Sequence, residues 1–194
     1  ALLEQLDPQN PNLGRELGTL AMRLGDLEAA ENYFQRFPLG SWVLESLGEV
    51  ALQRGRLKKA ESYLRDYLAD AQLPTSSAYQ SLANVLRQTG RLQEAARYSD
   101  LSIETLEAEI GRLAGSQEAK GKVRGRNDIY RDALRLQLEL GRPQEAFHLL
   151  ERFRAQAFLT LLAQRDLTFA VDLAPELDQE RRRLAGSYDR NQLR

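Results

Sequence analysis

Apolar residues recur through the chain at intervals of three and four, broken at glycines. The run Leu101, Ile103, Leu106, Ile110 and Leu113 is one such stripe, spaced as on one side of a helix. Short alternating runs of strand type are missing, and Val, Ile and Thr are scarce. The periodicity predicts helices in pairs, with long ones over about 92–114 and 117–140. Gly111, Gly115, Gly121 and Gly125 mark candidate breaks or a loop within that stretch.

The breaks repeat. Arg23-Leu-Gly-Asp-Leu-Glu-Ala-Ala, Gln53-Arg-Gly-Arg-Leu-Lys-Lys-Ala, Gln88-Thr-Gly-Arg-Leu-Gln-Glu-Ala and Glu139-Leu-Gly-Arg-Pro-Gln-Glu-Ala share one form. In each, Gly is followed five residues later by Ala: Gly25/Ala30, Gly55/Ala60, Gly90/Ala95 and Gly141/Ala146. A Gly ends a helix readily, because the left-handed conformation is free of strain without a Cβ. An Ala early in the next helix lets two helices cross closely. These eight are the expected repeat-packing residues.

Upstream, Leu17-Gly18, Leu47-Gly48 and Leu82-Ala83 hold equivalent places, and Phe34 and Leu64 follow their alanines. The whole phrase resembles the tetratricopeptide repeat (TPR) pattern of W-x-x-L-G-x-x-Y, then A-x-x-x-F, then P. It departs from that pattern at Ala21, Ala51 and Leu86, which replace the Tyr. The turn glycines are 30, 35 and 51 residues apart, against a nominal 34. A trimmed second helix ending near Pro38 fits the short interval. The expected fold is therefore all-α: a TPR-like right-handed α-solenoid of about four helix pairs plus a C-terminal capping helix. The array is read over 1–165, with repeats at about 11–40, 41–74, 76–114 and 117–165. A linker and final helix fill 166–194, the helix starting near Pro175.

Composition narrows the function. With 42% hydrophobic and 28% charged residues, a core can form. The net charge of −1 does not suit a coat for a polyanion. Without Cys there is no thiolate ligand or Cys nucleophile, and one His makes no multi-histidine metal site. No apolar run approaches the roughly 20 residues that span a bilayer. There is no P-loop and no dinucleotide fingerprint. His148, in Ala146-Phe-His-Leu-Leu, is expected to be partly buried and hydrogen-bonded. No enzymatic activity, metal or cofactor is expected. Both ends read as cuts in a longer protein.

The motif Glu151-Arg152-x-Arg154-Ala155, followed by Phe158-Leu159-x-Leu161-Leu162-Ala163, resembles the junction in bacterial CHAT-family proteins. In that family TPR-like repeats precede a caspase-like peptidase domain. The resemblance implies a module that presents a substrate or regulator to such a domain. The family's catalytic His and Cys match no position here.

TPR arrays expose the first helix of each pair on a concave face. Projection of the repeat places Arg15, Thr19, Glu45, Glu49, Gln80, Asn84, Arg87, Arg131 and Arg135 there. That mixture of charges and amides suits an extended peptide; a solvated face without ligand is the competing reading. The Lys and Asn clamp of chaperone-tail TPR domains is missing, since Arg15, Thr19, Ser46, Ser77 and Ser81 hold those places. Trp42 is a candidate interface anchor, or it packs between repeats one and two. Lys120, Lys122, Arg124, Arg126, Arg131 and Arg135 form a basic stretch, diluted by Glu118, Asp128 and Asp132. It reads as a solvated face with ion pairs rather than a nucleic-acid patch.

The expected function is a cytoplasmic protein-interaction scaffold, binding a protein or peptide segment. The alternative is a helical-repeat arm of a nucleic-acid-linked regulator, which a steep salt dependence would reveal. Neither nucleic acid nor membrane is an expected partner. Self-association through terminal helices is a further expectation, from the apolar run Phe147, Leu150, Phe153, Ala157, Phe158, Leu161 and Leu162.

Overall fold

The computed structural model describes residues 11–36, 42–112 and 117–164. The described residues form helices and turns, with no strand among them. The helices are α1 (Pro11–Arg23), α2 (Leu27–Arg36), α3 (Trp42–Gln53), α4 (Leu57–Asp70), α5 (Ser76–Gln88), α6 (Leu92–Arg112), α7 (Gln117–Glu139) and α8 (Pro143–Gln164). The chain divides into two compact units, Ala1–Leu150 and Glu151–Arg194. In the second, the described residues continue α8, with Arg154 ion-paired to Glu151 at 2.8 Å.

The five-residue Gly-to-Ala spacing has a hydrogen-bond cause. Gly55 has φ +69° and donates to the Leu52 carbonyl, while Arg56 donates to Ala51, closing the first helix in a Schellman turn. Arg56 is also the cap of the next helix, since its carbonyl accepts from the Ala60 N–H. One residue thus ends one helix and starts another. The same bonds recur at Gly25, Gly90 and Gly141, each with positive φ.

Within the first three pairs the helices pack tightly: α1 on α2, α3 on α4, α5 on α6. Ala30, Ala60 and Ala95 are fully buried and Ala146 nearly so. A Cβ at Gly48 would sit 2.7 Å from Leu64 Cγ and 3.6 Å from the Ala60 carbonyl. At Gly18 it would sit 2.3 Å from the Phe34 ring. In the third pair Ala83 takes the glycine's place, and the position of Phe34 and Leu64 is Ser99. A larger residue on the first helix goes with a smaller one on the second.

Packing also joins the pairs, through α2 on α3, α4 on α5, α6 on α7 and α3 on α5. Phe34, Val43, Leu47 and Val50 form one core, and Leu64, Leu82, Val85, Leu86 and Leu136 another. Tyr63 packs against both. Such burial is the main stabilising term, at about 1.5–3 kcal/mol for each large side chain. Trp42 belongs to this packing. It is half-buried, with its ring edge-on to Phe34 at 6.1 Å and the Arg15 guanidinium 6.0 Å away.

Two expectations need correction. Gly121 and Gly125 do not break the chain: they lie inside α7, whose own hydrogen bonding carries the helix through, whereas Gly111 stands one residue before the end of α6. His148 is exposed, not partly buried, because Ala146 and Leu149 are the residues α8 turns inward there. The helix expected near Pro175, Gly115 and the end of the apolar run at Leu161 and Leu162 lie outside the described residues or side chains.

Candidate functional site

The polar residues projected to one face all lie on first helices of the pairs. Arg15 and Thr19 are on α1, Glu45 and Glu49 on α3, Gln80, Asn84 and Arg87 on α5, and Arg131 and Arg135 on α7. Each is exposed or half-exposed. Spacings of three, four and seven keep them on one stripe of each helix, while Leu47, Leu82 and Leu86 turn inward.

The structure brings several of these together, through partners outside the projected set. On α3, Glu45 accepts hydrogen bonds from Thr75 Oγ1 at 2.6 Å and Ser77 Oγ at 2.5 Å. Glu49, one turn on, accepts from Gln53 at 3.3 Å. Desolvation, then the charge of Glu45, pushes the Glu49 carboxyl above the usual carboxylate range, and the Gln53 bond opposes this.

Between α5 and α7 the face is cross-linked. Gln80 Nε2 donates to Asp132 Oδ2 at 3.0 Å, and Asn84 Nδ2 reaches the same oxygen at 3.4 Å. Arg87 Nη1 pairs with Glu139 Oε1 at 3.1 Å. Arg131 pairs with Asp128 at 3.0 Å and approaches Asp132 at 3.8 Å, and Arg135 lies 3.9 Å from Asp132. The described part of the basic stretch is thus ion-paired or, at Arg126, buried. The side chains of Lys120, Lys122 and Arg124 lie outside the described ones.

Two further networks lie outside the residues projected onto this face. Glu109, buried near the end of α6, accepts from the Ser76 N–H at 3.2 Å and from Ser76 Oγ at 2.6 Å. It thereby places a carboxylate at the N-terminus of α5, where the helix dipole favours negative charge. On the second helices, Arg65 binds Glu61 and Glu94 and lies over the Tyr98 ring at 5.8 Å. Regularly placed Glu and Arg residues were the available clue to that network.

Among the described residues no group of His, Asp and Glu is placed to hold a metal ion. None of the described helices is long and apolar enough to cross a membrane.

Among the described residues, three packed helix pairs, followed by α7 and α8 across a fourth Gly turn, define a TPR-like α-solenoid. Residues 75–112, which are essentially α5 and α6, match the tetratricopeptide repeat model TPR_10. No curated protein matches the sequence. Among solved structures the chain is similar to two entitled crystal structures of MamA. One has 16% identity and a TM-score of 0.61, covering 81% of this chain and 84% of that one. The other has 17% identity and a TM-score of 0.60, covering 89% and 83%. MamA 41-end from Desulfovibrio magneticus RS-1 follows at 15% identity and a TM-score of 0.57, covering 81% and 78%. At these identities the likeness concerns the fold.

Proposed function

We propose that this chain is a protein-interaction scaffold that binds a peptide or protein segment along the concave face of its first helices. The observation that carries the reading is the division of labour on α1, α3, α5 and α7. Their apolar stripes form the core, while one stripe of amides, hydroxyls and both charge types stays at the surface. Such a stripe can hydrogen-bond an extended backbone and select its side chains. No catalysis is invoked, and the array is taken as residues 1–165. A cytoplasmic location is part of this reading. The resemblance of Glu151–Ala163 to the CHAT junction makes a peptidase-like domain the expected context, with the bound segment its substrate or regulator.

Peptides selected from a random display library on the whole chain test this reading. Their binding is expected to fall at least tenfold in Thr19→Arg with Gln80→Ala and Asn84→Ala, with the circular dichroism spectrum unchanged. Selected peptides indifferent to these and every other substitution on the face would defeat the proposal.

A further inference from the structure

The α5–α7 cross-link shows what chemistry this stretch of the face accepts. Gln80, Asn84 and Arg87 fall at i, i+4 and i+7 on α5, one above another. Every donor they aim at α7 meets a carboxylate, Asp132 for the two amides and Glu139 for the guanidinium. Both Gln80–Asp132 and Arg87–Glu139 join residues 52 apart in sequence. The two contacts therefore keep one register along helices running in the same direction. The carboxylates, seven residues apart on α7, differ in height by about 10 Å at 1.5 Å rise per residue. An extended chain in the polyproline II conformation rises about 3.1 Å per residue with about three residues per turn, so acidic side chains three positions apart share one side at nearly the same spacing.

The internal arrangement is incomplete. The Gln80 carbonyl oxygen and Arg87 Nε are buried without a hydrogen-bond partner. A buried polar group left unmatched carries a desolvation penalty that a better-fitting ligand would relieve. Both side chains are partly exposed, so rotation can bring those atoms to an incoming chain. Arg131 and Arg135 stand beside the same site, more than half exposed, and release of Asp132 would leave them facing the ligand.

We propose that Gln80, Asn84 and Arg87 form a receptor for an extended acidic segment with two side-chain carboxylates about 10 Å apart, which Asp132 and Glu139 occupy in the free protein. The proposal rests on the scaffold reading and names the partner's chemistry. Binding exchanges an internal carboxylate for an external one at each contact, so the free protein is self-inhibited at this site. A terminal carboxylate plays no part in it.

The probe is a fluorescein-labelled peptide, Gly-Gly-Glu-Ala-Ala-Glu-Gly-Gly, its C-terminus amidated, compared by anisotropy with versions carrying Gln or Lys for both Glu. The protein is the whole chain, as wild type and as Asp132→Asn with Glu139→Gln. The Glu probe is expected to bind the double variant at least tenfold more tightly than wild type, a gain the Gln and Lys probes do not share. Gln80→Ala with Arg87→Ala, added to that background, is expected to abolish the gain. Glu139→Gln alone, with a smaller gain of the same sign, serves if the double variant does not fold. Equal gains for all three probes, no gain, or a gain surviving loss of Gln80 and Arg87 would each overturn the proposal. If library peptides still bind through the first-helix face in that event, the scaffold reading stands and only the carboxylate receptor falls. If the Glu probe shows its gain while no library peptide binds through that face, the receptor stands and the broader groove falls.

Discussion

Arg91 reaches back across a repeat junction to Glu61, its Nη1 lying 2.8 Å from Oε1. Arg56 does the same one repeat earlier, with Nη1 2.9 Å from Glu31 Oε2, joined by Arg54 at 2.6 Å. In both cases the arginine follows the turn glycine and the glutamate follows the crossing alanine. At the third junction Arg142 holds the equivalent arginine place, but a buried Ala96 stands where the glutamate would be. Arg142 donates to the neutral Gln93 at 2.6 Å instead.

This makes the third junction improvable. Gln93→Glu is expected to give Arg142 a charged partner and stabilise the protein by about 0.5 kcal/mol, since such surface pairs are screened by solvent. Urea denaturation at low and high salt checks it: the gain should shrink in high salt. A loss of stability at low salt would show that the geometry does not admit the pair.

The Glu61 bridge predicts an acid dependence. Its hydrogen bond from Arg91 leads the causes that hold the Glu61 carboxyl down to about 2, with Arg65 adding to the effect and burial opposing it. A depressed folded-state pKa means the charged form is favoured by folding. Its contribution is therefore complete above about pH 5 and lost as pH falls from about 4.5 towards 2. Glu61→Gln should cost about 1 kcal/mol at neutral pH. Melting temperatures of wild type and variant should converge over that acid range, and a constant difference down to pH 2 would contradict it.

Gly48 and Leu64 test the helix-crossing account. Gly48→Ala forces a Cβ to 2.7 Å from Leu64 Cγ, so destabilisation by about 1–3 kcal/mol is expected. The penalty should shrink when Leu64→Ala is made in the same chain, because the clashing atom is gone. A double-mutant cycle by chemical denaturation measures the coupling. Strict additivity would mean that the two helices are not held together at this contact.

Gly55 isolates the backbone term. A Cβ there meets nothing within 4 Å, yet φ is +69°. Gly55→Ala should cost about 1–2 kcal/mol from left-handed strain alone. The same loss is expected when Leu64→Ala is already present, in contrast to Gly48, and calorimetric melting of both backgrounds distinguishes the two cases.

The repeat itself was legible in the sequence because it is local chemistry. A Gly for a Schellman turn, a one-residue connection and an Ala four residues later follow from bonds within a dozen residues, so Gly25, Gly55, Gly90 and Gly141 announced the helix pairs. The polar stripes on the first helices were legible for the same reason, since helical spacing fixes which residues share a side. What those side chains bind was not. Gln80 meets Asp132 and Arg87 meets Glu139 across 52 residues, Ser76 meets Glu109 across 33, and Glu45 meets Thr75 across 30. Ser76–Glu109 depends on how α5 crosses α6 within one pair, and the others on how far one pair is rotated and shifted on the next. His148 went astray by the same cause: neighbours of like hydropathy in sequence point to opposite sides of a helix, and only the packed partner decides which side is covered.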